Sequence, residues 1–414
     1  MRHLMPVHAT HTPQLATKEK LVARLLFWFA AHARDLPWRR TSDPYAVWVS
    51  EIMLQQTQVK TVIPYWNRWM RKLPTIQSAA KASPAKLHKL WEGLGYYTRV
   101  RNLQKAARQM LAQHDGKFPE NFAAVLALPG IGRYTAGAIC SIAFDQPTPI
   151  LDGNVIRVLT RLYGITTNPR AQKTNSRLWQ LAGELVHHAS RITHHVTGSR
   201  SIARAAGSKG ADDPIRLMAI DHRRSPQPIL GNCSALNQSL MELGALLCTP
   251  RSPDCAGCPV NQLCVARKQN LQEKLPKLAK PSKTTARRFI AFVVERNGRL
   301  LVRQRPAGTL NGHLWEFPNL ETPAGATPRQ LARTFFGRAP TKLEPLATLK
   351  HSITRYRITL EAFRAELPNA HPQPDGKWLT RGQLHKLAFT SAHKKILARI
   401  GAPSIVSARP IGRH

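Results

Sequence analysis

From Lys18 to about Leu185 apolar residues recur three and four positions apart, as in EKLVARLLFWFAAH and VRNLQKAARQML, with Pro and Gly breaking the pattern at turn-like intervals. This predicts an all-α half. From His187 to about Leu230 the period stops, and HHASRITHHVTGSRSIARAAGSKGADDPIRLMAIDHRRSPQPIL is rich in His, Ser, Arg and Gly. Residues 187–230 therefore read as a flexible basic insertion, and their histidines lack ligand spacing. Helical spacing resumes in SALNQSLMELGALL and runs into a group of cysteines. A Lys-, Pro- and Gln-rich linker follows over residues 267–286. Beyond it, RRFIAFVVERNGRLLVRQRP holds two β-rich runs around Asn297-Gly298, a hairpin signal. The expected organisation is multidomain: a tail over 1–16, an all-α domain over 17–266, the linker, an α+β domain over 287–400 and a tail over 401–414.

Composition narrows the partners. With 414 residues and 43% hydrophobic content, the chain can bury a core in each of two domains. Its 61 Lys and Arg against 23 Asp and Glu give a net charge of +38. So large a surplus suits work along a polyanion, nucleic acid first and an anionic membrane surface second. No run of about eighteen apolar residues is present to span a bilayer, and MRHLMPVHATHTPQ lacks the apolar centre of a secretion signal. A cytosolic protein is expected. Four of the six cysteines lie between Cys248 and Cys264, which in a reducing compartment points to a metal site rather than disulfides.

Four features can carry chemistry. In LPGIGRYTAGAI the proline stops one helix, the glycines allow positive φ, and the next helix starts at once with free N–H groups. Such a turn can hold a DNA phosphate without reading sequence, or be an ordinary link between helices. Cys248, Cys255, Cys258 and Cys264 are spaced C-x6-C-x2-C-x5-C, which suits a four-iron cluster or a tetrahedral zinc. Glu51 lies in the helical stretch DPYAVWVSEIMLQQTQV, one turn from Val47, Trp48, Leu54 and Gln55. On an apolar face its pKa would rise and suit a general acid, and on the opposite face it would be an ordinary solvated glutamate. Asp152 opens LDGNVIRVLTRL as a helix N-cap, a role compatible with presenting an oxygen to a substrate. A neutral acid opposite an ionised carboxylate is what glycosidic bond cleavage requires.

LPGIGRYTAGAI, then LDGNV, then the four-cysteine loop, resemble the helix-hairpin-helix DNA glycosylase superfamily. Within it, RDLPWRR, SEIMLQQTQV, WEGLGYYTRVRNL and NQSLMELGALLC resemble the adenine DNA glycosylases of the MutY family. RLLVRQRP and GHLWEFPNLE resemble that family's Nudix-like domain. The resemblance implies a [4Fe-4S] cluster on the four cysteines. It also implies a monofunctional enzyme of base excision repair that removes adenine mispaired with 8-oxoguanine or guanine in double-stranded DNA. A monomer on the nucleoid of a bacterial cytoplasm is expected, with no membrane partner. Glu51 would protonate adenine at N7 and later activate water, while Asp152 stays anionic beside the sugar cation, supported by Asn154 and Tyr134. Arg34, Trp38, Arg39, Leu54 and Glu242 would line the adenine pocket, Gln56 and Tyr96 would enter the base stack, and Gly130 and Gly132 would meet DNA phosphate. In related endonuclease III proteins a lysine that attacks the sugar stands at the position of Tyr134, and a phenol cannot form that Schiff base.

The chain also departs from the pattern. Ile353-Thr354-Arg355 stands where many members carry a Phe-Ser-His stretch that reads 8-oxoguanine. ETPAGATPRQLARTFF lacks the acidic metal motif of nucleotide pyrophosphatases, and the 187–230 insertion is unusual. The competing readings are a bifunctional pyrimidine glycosylase-lyase and a non-catalytic iron–sulfur DNA-binding protein.

Overall fold

The computed structural model describes residues 15–198, 231–279, 284–309, 311–323, 325–353, 355–368 and 376–400. The expected tails, residues 199–230 of the insertion and Thr354 lie outside the described residues, apart from the first turn of α1. The chain runs through α1 (Leu15–His32), a 3-10 turn at Pro37–Arg39, α2 (Pro44–Leu54), α3 (Val59–Lys72), α4 (Ile76–Lys81), α5 (Pro84–Trp91) and α6 (Thr98–Gln113). It continues through α7 (Phe122–Leu126), α8 (Arg133–Phe144), α9 (Gly153–Leu162), α10 (Gln172–Gly198), α11 (Asn232–Leu246) and α12 (Val265–Lys268). Strands β1 (Thr285–Arg296), β2 (Arg299–Gln304), β3 (Trp315–Glu316) and β4 (Asn319–Glu321) follow. The remaining elements are α13 (Pro328–Phe336), β5 (Lys342–Ile353), β6 (Tyr356–Glu366), β7 (Lys377–Thr380), α14 (Arg381–His385) and α15 (Ser391–Ile400). No helix among the described residues is long and apolar enough to cross a membrane.

Two compact units result, one from residues up to Ala80 and from Asn102 to Ala279, the other from Lys81–Arg101 and the chain beyond Lys280. In the first, α1, α8, α9, α10 and α11 share a core that includes Leu25, Ala138, Val155, Leu159, Leu185 and Leu240. On α9 the buried positions Val155, Val158, Leu159 and Leu162 follow the helical period, so one face is dry. Small residues let α8 approach its neighbours: a Cβ on Gly137 would lie 2.3 Å from the carbonyl oxygen of Pro149. Helix α10 corrects one sequence expectation, because it continues to Gly198 past the proposed insertion start at His187. Leu185, Val186, Ala189 and Ile192 keep the apolar period into that stretch, and His187, His188 and Ser190 between them hid it.

The second unit is built on a mixed sheet. β1 runs parallel to β6 and antiparallel to β2 and β4, and β5 flanks β6. Both faces of β1 are covered, which explains its unbroken apolar run: Ile290, Phe292 and Val294 pack with α13, and Ala291 and Val293 with the side carrying α14 and α15. Asn297 and Gly298 both have positive φ, 50° and 70°, and make the expected two-residue turn between β1 and β2. No acidic residue occurs in α13, which carries a Thr327–Gln330 capping box. The segment Lys81–Arg101 packs in this unit, although its helical period had placed it with the all-α domain. Buried Glu92 accepts from the Phe389 amide at 2.9 Å, Lys394 Nζ at 2.8 Å and Lys89 Nζ at 2.9 Å, and Arg101 Nη1 donates to the Gly312 carbonyl at 3.1 Å. Periodicity reports that a helix has a dry face, not which partner covers it.

Candidate active site and iron–sulfur loop

A cavity of about 400 Å³ opens in the first unit between α2, α8, the start of α9 and α11. Its lining includes Glu51, Tyr134, Asp152 and Asn154, together with Arg34, Trp38, Arg39, Leu54, Gln56 and Glu242. Of the residues singled out from sequence for chemistry or base contact, Tyr96 lies elsewhere, exposed with a φ of 46° in the second unit.

Glu51 is carried by α2, which Asp43 caps through the Tyr45 amide and Pro44 starts. That helix is buried from Tyr45 to Met53, and Glu51, which lines the cavity, is only 6% exposed. Burial pushes its pKa up to about 7; the hydrogen bond from Tyr134 opposes this, the negative charge of Asp152 adds to it, and Arg39 pulls it back. Tyr134 Oη donates to Glu51 Oε2 at 2.9 Å. Burial, first, and the two nearby carboxyls hold the Tyr134 pKa well above 10, so the phenol stays protonated as a donor.

Asp152 is the N-cap of α9, as its sequence position suggests, and it also lines the cavity. Its Oδ1 accepts from the Val155 amide at 2.7 Å and its Oδ2 from Asn154 Nδ2 at 3.0 Å. Burial raises its pKa, against the hydrogen bonds from Val155 and Asn154 and the charge of Arg157. Arg157 in turn donates to Asn154 Oδ1 at 2.8 Å, to the Gly244 carbonyl at 2.7 Å and to the Cys248 carbonyl at 2.7 Å.

Across the cavity, Glu242 of α11 is fully buried and gripped by two guanidinium groups. Arg34 donates from Nε and Nη2 at 2.7 Å each and from its backbone amide at 3.0 Å; Arg39 donates from Nη1 at 3.2 Å and Nη2 at 3.0 Å. Burial alone would raise the Glu242 pKa, but these bonds hold it down at about 2. Gln238, which sequence reasoning did not single out, accepts from Arg39 Nε at 3.0 Å. The signal was present, since Gln238 and Glu242 are four apart and share one helix face. Trp38 packs edge-on against Trp66, and Gln56 sits exposed with a φ of 56° beside the cavity.

Of the two glycines in the turn before α8, one has positive φ and the other, at −98°, is extended. Gly130 takes a φ of 79°, and a Cβ there would lie 2.6 Å from Asn102 Cβ; Gly132 is the N-cap of α8 and has no side chain to occupy the free amides. Asn102 belongs to the same unit.

Beyond α11 the four cysteines fold into one loop. Burial pushes the Cys258 thiol up to about 12, the Val260 amide opposes this, and the charges of Cys248, Cys264 and Cys255 add to it. Burial and the neighbouring cysteines also push the Cys255 and Cys264 thiols upward, and a bound cation would favour the thiolate form of such a donor set. Among the described residues no three His, Cys, Asp or Glu donors stand close enough to share one metal ion.

Residues 49–184 match the HhH-GPD superfamily of base excision DNA repair proteins, 248–264 the iron–sulfur binding domain of endonuclease III, and 290–399 the NUDIX domain. The human adenine DNA glycosylase is 33% identical over 436 aligned residues, covering 90% of this chain and 72% of the relative. The chain belongs to the adenine DNA glycosylase family. The family enzyme of Rattus norvegicus is 34% identical over 434 residues, covering 90% and 76%. A [4Fe-4S] cluster is the cofactor of the loop spanning residues 248–264.

Proposed function

We propose that this chain is a monofunctional DNA glycosylase of base excision repair that hydrolyses the N-glycosidic bond of adenine opposite 8-oxoguanine or guanine. The observation that carries it is Glu51: a buried carboxyl with a pKa of about 7, facing the same cavity as Asp152. With adenine extruded into the cavity, Glu51 delivers its proton to N7 as the N9–C1′ bond breaks. Asp152, anionic, stabilises the positive charge at C1′. Water adds to C1′ and gives its proton to the Glu51 carboxylate, which restores the acid. Asn154 and Tyr134 orient the two carboxyls, and the phenol at 134 offers no amine to capture the sugar, so the abasic strand stays intact.

Arg34, Trp38, Arg39, Leu54 and Glu242 shape the adenine pocket, Gln56 and Tyr96 enter the stack, and the amides around Gly130 and Gly132 receive a phosphate of double-stranded DNA. Arg355, exposed and donating to Tyr356 Oη at 3.1 Å, is the donor offered to the oxidised guanine or its phosphate. Among the described residues, α13 carries no carboxylate to hold Mg²⁺, which argues against nucleotide hydrolysis in that unit.

One gel assay tests the reading, with a duplex carrying adenine opposite 8-oxoguanine analysed with and without hot alkali. Breaks seen only after alkali are the expected result. Nicking without alkali would make the protein a glycosylase-lyase, and tight binding without product would make it a non-catalytic DNA-binding protein.

A further inference from the structure

We infer that Arg161 tunes the iron–sulfur cluster, acting through a hydrogen bond to one ligand sulfur. The inference rests on the cysteine loop holding that cluster. Arg161 sits on α9 and is 2% exposed. Its Nη1 donates to Cys248 Sγ at 3.3 Å and to the Thr249 carbonyl at 2.7 Å, its Nη2 to the Pro250 carbonyl at 3.4 Å, and its Nε to the Leu275 carbonyl at 3.0 Å. All four acceptors lie in the cysteine loop or just after it. Among the described residues no carboxylate pairs with this guanidinium.

A buried cation without a counter-charge is costly, so such groups are retained where an anion faces them. The anion that this geometry offers is the Cys248 thiolate, and with it the negative charge of the ligated cluster. A positive donor at a ligand sulfur withdraws electron density and favours the state with one more electron, because reduction adds negative charge beside it. Arg161 is thus a positioning residue: it fixes the loop carbonyls and keeps the cluster easier to reduce than the loop alone would.

The test uses full-length protein loaded with its cluster. Voltammetry of an adsorbed film, in which one electron passes between electrode and cluster with no bond made or broken, reads the potential. Arg161→Gln is expected to shift the potential to a lower value, and Arg161→Lys, which keeps the charge but cannot reach all four acceptors, to an intermediate one. Loss of the brown absorbance under ferricyanide should be on the order of 10- to 100-fold faster in Arg161→Gln, the scale of other outer-shell losses. Should Arg161→Gln fail to load, the lysine variant decides. Loaded variants with the parent potential and the parent rate of bleaching would overturn the proposal. Parent protein that contains no iron would instead sink the cluster reading.

Discussion

Two glutamates line one cavity and release their protons in very different pH ranges. Glu51 and Glu242 are both buried on helices, yet one carries a pKa of about 7 and the other about 2. Burial pushes both upward. The difference lies in partners: Glu242 receives five hydrogen bonds from Arg34 and Arg39, whereas Glu51 receives one from a neutral phenol and faces the negative Asp152. Charged donors stabilise a buried carboxylate far more than neutral ones do. The cavity thus holds a permanent anion that organises two cations on one wall and a proton donor on the other.

Removing the donor should have the largest effect. Glu51→Gln is expected to slow single-turnover adenine release by about 10²–10⁴-fold, the usual worth of a general acid, while duplex binding persists in a filter or anisotropy assay. Retention of parent turnover would end the acid assignment.

Removing the anion acts on stability instead. Glu242→Gln strips two guanidinium groups of their shared partner and is expected to cost about 3–5 kcal/mol, read as a lower unfolding midpoint in denaturant. Equal midpoints for variant and parent would show that water replaces the carboxylate without loss.

The contrast also has a pH signature. Because the folded pKa of Glu51 lies above the ordinary 4.5, its stabilising contribution is fully present below about pH 4.5 and is lost as pH rises through about 7. Between those limits the parent should lose up to ~3 kcal/mol relative to Glu51→Gln, which has no such proton to release. Stability measured for both at pH 4.5, 6 and 8 checks the slope, and parallel curves would contradict the raised pKa. The same proton gives the parent rate an alkaline limb near pH 7.

The smallest change is Tyr134→Phe. Its hydroxyl lowers the Glu51 pKa, so deleting that bond, worth about 1 kcal/mol, should move the alkaline limb upward by about 0.7 of a pH unit. A downward shift would mean that the phenol stabilises the neutral acid instead.

Much of this site could be read from the chain. The spacing of the cysteines, the glycines of LPGIG and the N-cap character of Asp152 are local features, and the structure shows them locally. The face of Glu51 was open, because α2 is apolar nearly all round and its period names no single dry side. Gln238, Arg157 and Arg161 were missed, since each owes its position to partners far along the chain: Arg39, the Cys248 carbonyl and the Leu275 carbonyl. The helix past His187 was missed because polar histidines interrupt a four-residue apolar period that only packing reveals.

The amino-acid sequence by itself determined the local chemistry: which residues can donate, accept, ligate or turn, because these follow from covalent structure and from neighbours within a few positions. Tertiary structure decided the protonation states and the placement of Lys81–Arg101. Both depend on burial and on charges brought together from distant parts of the chain, quantities that no short window of residues contains.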